Sequence, residues 1–285
     1  MMTPQFETHA LAGRHIAITR PPEQAPQLAH LLEAAGARVT VLSSIDIAPL
    51  EETSGLDAAV ERLAQGERAY DWVVFTSVNG VRALDQRLAA LRQGWSLLRS
   101  PAVAAIGPAT AQALEAHGIT PALVPDEYVA EGILRGIGDV AGKRLLLLRA
   151  DIARKTLAEE LRRGGAEVDE VAAYRTVVVP PDVARLRHVL DADRPDAITF
   201  TSSSTVQGLI QSLDAAGFVP SQALATIALA CIGPVTAGTL REHGLEPAVV
   251  AEEYTMPGLA RALIVHFTSM SPASSPSTGS TREGA

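Results

Sequence analysis

The chain contains two copies of one sequence pattern. Leu11 to Arg20 reads LAGRHIAITR, and Val140 to Arg149 reads VAGKRLLLLR. Further along, Ile106 to Gly118 (IGPATAQALEAHG) returns as Ile232 to Gly244 (IGPVTAGTLREHG). Solenoid proteins repeat units of only about 20 to 50 residues, so a repeat of this length indicates two copies of a whole domain.

Each copy alternates short apolar runs with helical patterns. Parallel strands need a crossover connection, and right-handed helical crossovers are the rule, so the alternation predicts parallel sheets with helices on both faces. The expected fold class is α/β, with two similar doubly wound, flavodoxin-like lobes that face each other across a cleft. Strands are expected near residues 14–19, 38–43, 72–75, 102–106 and 122–124, and near 143–148, 167–171, 196–200, 227–232 and 248–250, with a helix after each.

Composition and charge disfavour several classes of protein. The chain carries 24 Lys and Arg against 32 Asp and Glu, a net charge of −8, so no general positive field attracts nucleic acid. Cys231 is the single cysteine, which excludes an intrachain disulfide framework and favours a reducing compartment, the cytoplasm. No signal-peptide pattern and no apolar run of about 18 residues is present, so we expect no membrane span. Residues 1–10 are expected to form an N-terminal extension, and 268–285, rich in Ser, Thr and Pro, a disordered tail.

The common catalytic signatures are missing. Gly136 to Ala141 partly matches a dinucleotide fingerprint, but it precedes a strand instead of following one. No phosphate loop, no paired histidines with zinc spacing and no GxSxG serine-hydrolase motif is found. Hydride transfer, nucleotide hydrolysis, zinc chemistry and serine hydrolysis are therefore disfavoured.

Candidate binding residues follow the predicted strands at their carboxyl ends, where doubly wound sheets bind ligands. Small and hydroxylic residues dominate these turns, and each turn leads into a helix whose N-terminal N–H groups can bind an anion. The candidates are Arg20, Ser77, Asn79, Gly80, Thr110, Arg149, Ser202, Ser203, Ser204, Thr205 and Thr236.

Many of these candidates also have a purely structural explanation. Four are ordinary helix N-cap residues: Ser77, Thr110, Ser203 and Thr236. Arg20 and Arg149 occupy the same position in the two copies, where each can bind a carboxylate through two hydrogen bonds or form an ion pair at the strand end. The sequence leaves both alternatives open.

Five segments, in order along the chain, carry a resemblance to a known family. They read ITRPPEQAPQLAHLLEAAGARV (Ile18 to Val39), YDWVVFTSVNGV (Tyr70 to Val81), AIGPATAQAL (Ala105 to Leu114), LAEELRRGGAEVDEVAAYRT (Leu157 to Thr176) and CIGPVTAGTLREHGLEPAVVAEEYTMPGL (Cys231 to Leu259). Together they resemble uroporphyrinogen-III synthases over about Leu11 to Phe267. The ordered co-occurrence of the segments is more specific than any one of them.

The resemblance implies an activity and a substrate. The substrate would be hydroxymethylbilane, a linear tetrapyrrole rich in carboxylates. A hydro-lyase would close it with loss of water and inversion of ring D, giving uroporphyrinogen III for haem and other tetrapyrroles. No metal and no organic cofactor is implied. A monomer is the simplest expectation, with room for a transient contact with the preceding pathway enzyme and with no nucleic-acid or membrane partner.

The resemblance also implies an exchange of halves between the two lobes. Residues 11–45 and 177–267 would form the first lobe, and 46–176 the second. The linking segments, near Ile45 to Leu50 and Tyr174 to Val179, would run as an antiparallel pair, a two-stranded hinge.

Two further site residues follow from the resemblance. Tyr174 matches a family catalytic position, where a phenol can protonate the departing hydroxyl. The alternative is that Tyr174 packs in the hinge with its hydroxyl bonded locally. Arg154 matches a frequent family arginine and is expected to bind substrate, although Ala150 and Ala153 stand where the family usually has glycine.

Two other functions remain as alternatives. A two-lobed binding protein could hold an anionic small molecule without changing it, because a fold does not determine a function. A nucleotide-binding enzyme is disfavoured by the missing phosphate fingerprints.

Overall fold

The structure, a computed structural model, describes residues 9–66, 69–126, 130–152, 155–179 and 182–270. Arg154, residues 1–8 of the predicted extension and residues 271–285 of the predicted tail lie outside these ranges. The chain divides into two compact units. Ser43–Asp182 together with Ser204–Gly217 form one, here called the central unit, and the other described residues form the terminal unit. The residue boundaries of the two predicted lobes stay a prediction.

Two five-stranded sheets contain all the strands of the described ranges. The strands are β1 (His15–Ile18), β2 (Arg38–Val41), β3 (Ile45–Ala48), β4 (Trp72–Phe75), β5 (Ala102–Ala105), β6 (Arg144–Ala150), β7 (Glu167–Val178), β8 (Ala197–Phe200), β9 (Ala228–Cys231) and β10 (Val249–Val250). The strand order is β10-β9-β8-β1-β2 in the first sheet and β3-β7-β6-β4-β5 in the second.

The strand orders reveal the exchange of halves. β1 and β2 of the first sequence copy share a sheet with β8, β9 and β10 of the second copy, while β6 and β7 share a sheet with β4 and β5. The repeat makes β1 equivalent to β6, β2 to β7, β8 to β4 and β9 to β5. Equivalent strands have the same neighbours in the two sheets, since the order β2-β1-β8-β9 in one sheet matches β7-β6-β4-β5 in the other. These neighbours all pair in parallel. The predicted α/β fold class with two parallel sheets and exchanged halves is confirmed.

The linking segments pair as the resemblance implies. β3 and β7 are antiparallel, with Ile45 opposite Val178 and Ala48 opposite Arg175. β7 therefore runs well past residue 171, where the predicted strand ends, because its second half has β3 as a partner. The prediction that a helix follows every strand is wrong for β2, because the next element along the chain is β3. The strand predicted at 122–124 is also wrong, because only Leu123 forms an isolated bridge with Ala104.

Helices connect and cover the strands. They are α1 (Pro26–Ala34), α2 (Ser54–Ala64), α3 (Val78–Ala90), α4 (Pro108–Glu115), α5 (Ala130–Ile137), α6 (Thr156–Arg163), α7 (Val183–Arg187), α8 (Ser203–Ala215), α9 (Pro220–Ala223), α10 (Pro234–Glu242) and α11 (Met256–Met270). Among the described residues, no helix has both the length and the apolar character needed to cross a membrane.

The second sheet lies in the central unit and is here called the central sheet; it is apolar on both faces. Leu146 and Leu148 of β6 pack in one core cluster, whereas Leu145 and Leu147 pack in another. Successive side chains of a strand point to opposite faces, and helices cover both faces of a parallel sheet, so its strands become continuous apolar runs. The terminal unit has a separate core, built around β1, α1 and α11.

An ion pair between α2 and α3 makes stability depend on pH. The Arg87 guanidinium donates to both carboxylate oxygens of Asp57, and this hydrogen bonding lowers the pKa of Asp57 below its usual value. Such a carboxylate contributes stability above its unfolded pKa of about 3.9, and the contribution is lost as pH falls through the lower folded pKa. We therefore expect the free energy of unfolding to fall more steeply below about pH 4 in the wild type than in Asp57→Asn, as measured by urea titrations. Parallel curves would contradict this expectation.

Candidate active site

The carboxyl ends of neighbouring parallel strands meet at one edge of the central sheet, and part of the predicted site lies there. Ser77 follows β4, and Tyr174 lies where the parallel part of β7 ends. The Ser77 hydroxyl oxygen is 2.9 Å from the phenol oxygen of Tyr174, and the Asn79 side chain also hydrogen-bonds to the phenol. The structure thus brings together three predicted site residues.

Ser77 has its position because it begins α3. It is the N-cap residue, as its structural alternative predicts, and its hydroxyl accepts a hydrogen bond of 3.1 Å from the Gly80 N–H. A hydroxyl has two acceptor lone pairs and one donor hydrogen, so the cap and the contact with Tyr174 are compatible. Gly80 is buried, and the cap uses its N–H.

Tyr174 is only 8% exposed. Its phenol is protonated at neutral pH, because the ordinary pKa of a tyrosine is about 10 and the shift here is upward. Burial raises the pKa of Tyr174 above its ordinary value, the hydrogen bonds with Ser77 and Asn79 oppose the rise, and the Asp151 carboxylate adds to it. The net direction is upward. Tyr174 can therefore donate a proton at neutral pH, and it is poorly suited to be a general base.

Two further candidates, Thr110 and Arg149, lie in the central unit. Thr110 is buried in the first turn of α4, and its predicted N-cap role is wrong because Gly107 is the cap, with Pro108 in the first helical position. Arg149 forms an ion pair of 2.5 Å with Glu170, and its side chain is 6% exposed. The ion-pair alternative is confirmed for Arg149. Its contact with a ligand stays a prediction.

In the terminal unit, Arg20 connects the turns that follow β1 and β8. Its Nη1 donates to the Thr201 hydroxyl at 3.0 Å, and its Nη2 donates to the Gln24 side-chain carbonyl at 2.8 Å. Its Nε donates to the backbone carbonyl of Gln24 at 3.1 Å. The guanidinium is therefore oriented by neighbours at the carboxyl edge of this sheet, where the prediction placed it.

The serine-rich turn after β8 divides between the two units. Ser202 precedes α8, and Ser203 is its first residue, whose hydroxyl accepts a hydrogen bond of 2.7 Å from Thr239. Ser204 and Thr205 belong to the segment of α8 grouped with the central unit. Thr205 is buried there.

Thr236 lies at the start of α10, after β9. It is buried, and Gly233 is the N-cap residue, with Pro234 in the first helical position. The predicted N-cap role of Thr236 is therefore wrong for the same reason as that of Thr110. The ring of Tyr254 packs against Gly233, since an added Cβ there would lie 3.1 Å from the ring.

Three side chains near the site were missed by sequence reasoning. Glu170 pairs with Arg149, Gln24 orients Arg20, and the Asp151 carboxylate accepts a hydrogen bond from the Thr176 N–H, two residues after Tyr174. Glu170 could have been suspected, because a carboxylate in a strand of a sheet that helices cover on both faces needs a partner. The other two had no comparable signal, since a polar residue in a turn is expected whether or not it has a partner.

The chemical groups of the candidate site are hydroxyls, an amide and guanidinium groups. No group of three or more His, Cys, Asp or Glu side chains could hold a metal ion in the described parts of the chain. Burial raises the pKa of the Cys231 thiol to about 12, so this thiol stays protonated at neutral pH.

Comparison with known proteins identifies the family. A family model described as Uroporphyrinogen-III synthase HemD matches residues 26–261. The chain belongs to the uroporphyrinogen-III synthase family. A uroporphyrinogen-III synthase of Synechococcus elongatus is 36% identical over 258 residues, which cover 89% of this chain and 95% of that relative. A putative uroporphyrinogen-III synthase of Methanothermobacter thermautotrophicus is 33% identical over 256 residues, which cover 88% and 97%.

Solved structures of uroporphyrinogen III synthases have the same fold. A mutant of the Thermus thermophilus protein has a TM-score of 0.67 and 22% identity, covering 90% of this chain and 100% of its own. The Helicobacter pylori protein has a TM-score of 0.53 and 17% identity, covering 88% and 99%. At these identities, the likeness concerns the fold alone.

Membership in the uroporphyrinogen-III synthase family defines the activity. The chain is a hydro-lyase of porphyrin, heme and tetrapyrrole biosynthesis, and its substrate is hydroxymethylbilane. The family resemblance and the activity predicted from the sequence are both confirmed.

Proposed function

We propose that Tyr174 is the general acid in the synthesis of uroporphyrinogen III by this chain. The observation that supports this role is the contact of its protonated phenol with Ser77 and Asn79 at the carboxyl edge of the central sheet. The phenol donates its proton to the substrate hydroxyl, the C–O bond breaks and water leaves. Ring closure later returns a proton to the phenolate. Because its pKa is raised, the phenol is a weak acid, so its contribution is expected at the lower end of the range for general acids.

The larger task is control of conformation. Hydroxymethylbilane left in water closes without inversion, so the enzyme has to hold the reactive intermediate in the geometry that inverts ring D. Proximity and orientation contribute about 7 to 11 kcal/mol in favourable systems. In this proposal each unit offers its own set of carboxylate-binding groups. The sets are Ser77, Asn79, Gly80, Thr110, Arg149 and Arg154, then Arg20, Ser202, Ser203 and Thr236, with Ser204 and Thr205 at the start of α8.

The cellular setting is also a proposal. The single cysteine is buried and its thiol is protonated, which suits the cytoplasm. Both copies of the repeat lie on one chain, so a monomer already carries both sets of binding groups. A transient contact with the preceding pathway enzyme would shorten the time that a self-closing substrate spends in water.

Product analysis tests the activity of this chain directly. We expect freshly generated hydroxymethylbilane to give mainly uroporphyrin III after oxidation and chromatography when the purified protein is present. Samples without protein and with heat-denatured protein should give uroporphyrin I. If isomer I forms at the control rate in every sample, this chain does not turn hydroxymethylbilane over, and the binding-protein alternative takes the place of this proposal.

A further inference from the structure

β7 contains an irregularity at the residue before Tyr174. Along β6, Arg149 is opposite Ala172, but the next residue, Ala150, is opposite Tyr174. Ala173 is therefore an extra residue without a partner on β6, which is the pattern of a β-bulge. Ala173 and Tyr174 are both buried in the same core cluster, although successive side chains of a regular strand point to opposite faces.

The bulge directs Tyr174 toward Ser77. Bulges change the direction of a side chain and end regular pairing, and they are common beside active sites. Just beyond this one, β7 exchanges its parallel partner β6 for its antiparallel partner β3, whose last residue, Ala48, is opposite Arg175. The direction of the phenol therefore depends on what holds the backbone at this change of partner.

Asp151 holds the backbone on both sides of Arg175. Its own N–H donates to the Tyr174 carbonyl at 3.1 Å. Its carboxylate oxygen Oδ1 accepts a hydrogen bond of 3.0 Å from the Thr176 N–H and another of 2.9 Å from the Ile152 N–H. One aspartate thus connects the turn after β6 to the two β7 residues that flank the change of partner.

We propose that Asp151 is a positioning residue, which stabilises the bulge in β7 and so keeps the Tyr174 phenol in contact with Ser77. The inference rests on the proposed role of Tyr174 in the reaction. Its carboxylate also lies near enough to influence the phenol electrostatically. Geometry and charge therefore have to be separated by experiment.

Three substitutions separate the two effects. Asp151→Asn keeps an oxygen that can accept from Thr176 and Ile152 but removes the charge. Asp151→Glu keeps the charge but moves the oxygens by one methylene. Asp151→Ala removes both. The matched control is Asp139→Ala, at an exposed aspartate before β6 whose carboxylate accepts a backbone hydrogen bond from Ala141.

Two measurements are made on each variant. The chain has four tyrosines, so labelling with ¹³Cζ-tyrosine gives few resonances, and Tyr174→Phe assigns the one from Tyr174. Steady-state kinetics with hydroxymethylbilane then give kcat, KM and the fraction of isomer III. Circular dichroism establishes that each variant is folded.

We expect Asp151→Ala and Asp151→Glu to shift the Tyr174 resonance and lower kcat by about 10-fold or more, with KM changed less. Asp151→Asn and Asp139→Ala should retain the wild-type resonance and stay within about threefold of wild-type kcat. The inference is overturned if the resonance does not move in folded Asp151→Ala. It is also overturned if Asp151→Glu keeps the wild-type resonance and kcat while Asp151→Asn does not. If Asp151→Ala does not fold, the comparison of Asp151→Asn with Asp151→Glu tests the inference.

The resonance also separates this inference from the proposed function. If Tyr174→Phe retains full activity, Tyr174 is not the general acid. A shifted resonance in Asp151→Ala would still show that Asp151 positions the phenol, now as part of the fold alone. If the resonance is unshifted in Asp151→Ala and Tyr174→Phe has a low activity, Tyr174 remains the general acid but Asp151 does not position it.

Discussion

Tyr174→Phe is expected to lower kcat by about 100-fold, the lower end of the range for general acids, while KM changes little. The phenylalanine ring fills the same buried space, so packing is preserved, and the variant loses the proton donor together with the phenol's hydrogen bonds to Ser77 and Asn79. Removing a group that acts mainly in the transition state lowers kcat rather than substrate affinity. Stopped assays with hydroxymethylbilane, analysed for isomers III and I, measure both quantities.

Tyr70→Phe is the matched control for this substitution. Tyr70 lies in the same core cluster as Tyr174, and its hydroxyl donates to the Asp169 carboxylate at 2.6 Å. Losing a hydrogen bond to a charged group costs about 1.5 to 3 kcal/mol of stability, but the activity per folded molecule should not change. Equal kcat values for wild type and Tyr174→Phe would mean that the phenol serves packing only.

Gly208→Ala is expected to destabilise the protein by about 2 to 3 kcal/mol, although replacing glycine by alanine in a helix usually stabilises it. In most helices, alanine is about 1 kcal/mol more favourable than glycine. At position 208 in α8, however, an added Cβ would lie 2.5 Å from the Ser44 carbonyl oxygen and 2.7 Å from an Ile45 methyl carbon. The carbonyl belongs to the backbone, so the strain is relieved only if α8 or the start of β3 moves.

Gly238→Ala in α10 provides the control for Gly208→Ala. Nothing lies within 4 Å of an added Cβ at Gly238, so this variant should be more stable than the wild type, by up to about 1 kcal/mol. Denaturant unfolding of the two variants beside the wild type measures both changes. A stability of Gly208→Ala equal to that of Gly238→Ala would show that α8 does not contact the Ser44 backbone this closely in solution.

Much of the sheet architecture could be predicted because its signals are local. The apolar run at Trp72–Phe75 is β4 at the predicted residues, and Leu145–Leu148 are buried in β6. Such runs depend on helices covering both faces, not on which strand lies beside them. The glycine-proline turns before α4 and α10 carry a local signal of the same kind, since proline suits the first helical position wherever the helix packs.

The course of β7 could not be predicted from the residues alone. Glu167–Val178 contains no glycine, no proline and no turn signal at the point where β6 gives way to β3. The partner of its second half lies more than a hundred residues earlier in the chain, and only the family resemblance connected the two segments. The extra residue at Ala173 likewise has no local signature, because bulges arise from pairing between strands.

The candidate site was predicted only in part, because its residues have local signals but their contacts depend on pairing between strands. Turns at strand ends identified Ser77 and Asn79, and the resemblance identified Tyr174, but their contact depends on the register of three strands. The pairing of Arg149 with Glu170 was open from the sequence, because a guanidinium serves a carboxylate of the protein or of a ligand equally well.

The exchange of strands has a consequence for the order in which the chain can fold during synthesis. All five strands of the central sheet lie between Ile45 and Val178, so that sheet can assemble from one continuous stretch of nascent chain. The sheet of the terminal unit cannot assemble in this way, because β1 lies between β2 and β8, and β8 begins only at Ala197. The first strand to leave the ribosome, β1, is therefore among the last to be paired on both edges, and contacts so distant in sequence close slowly.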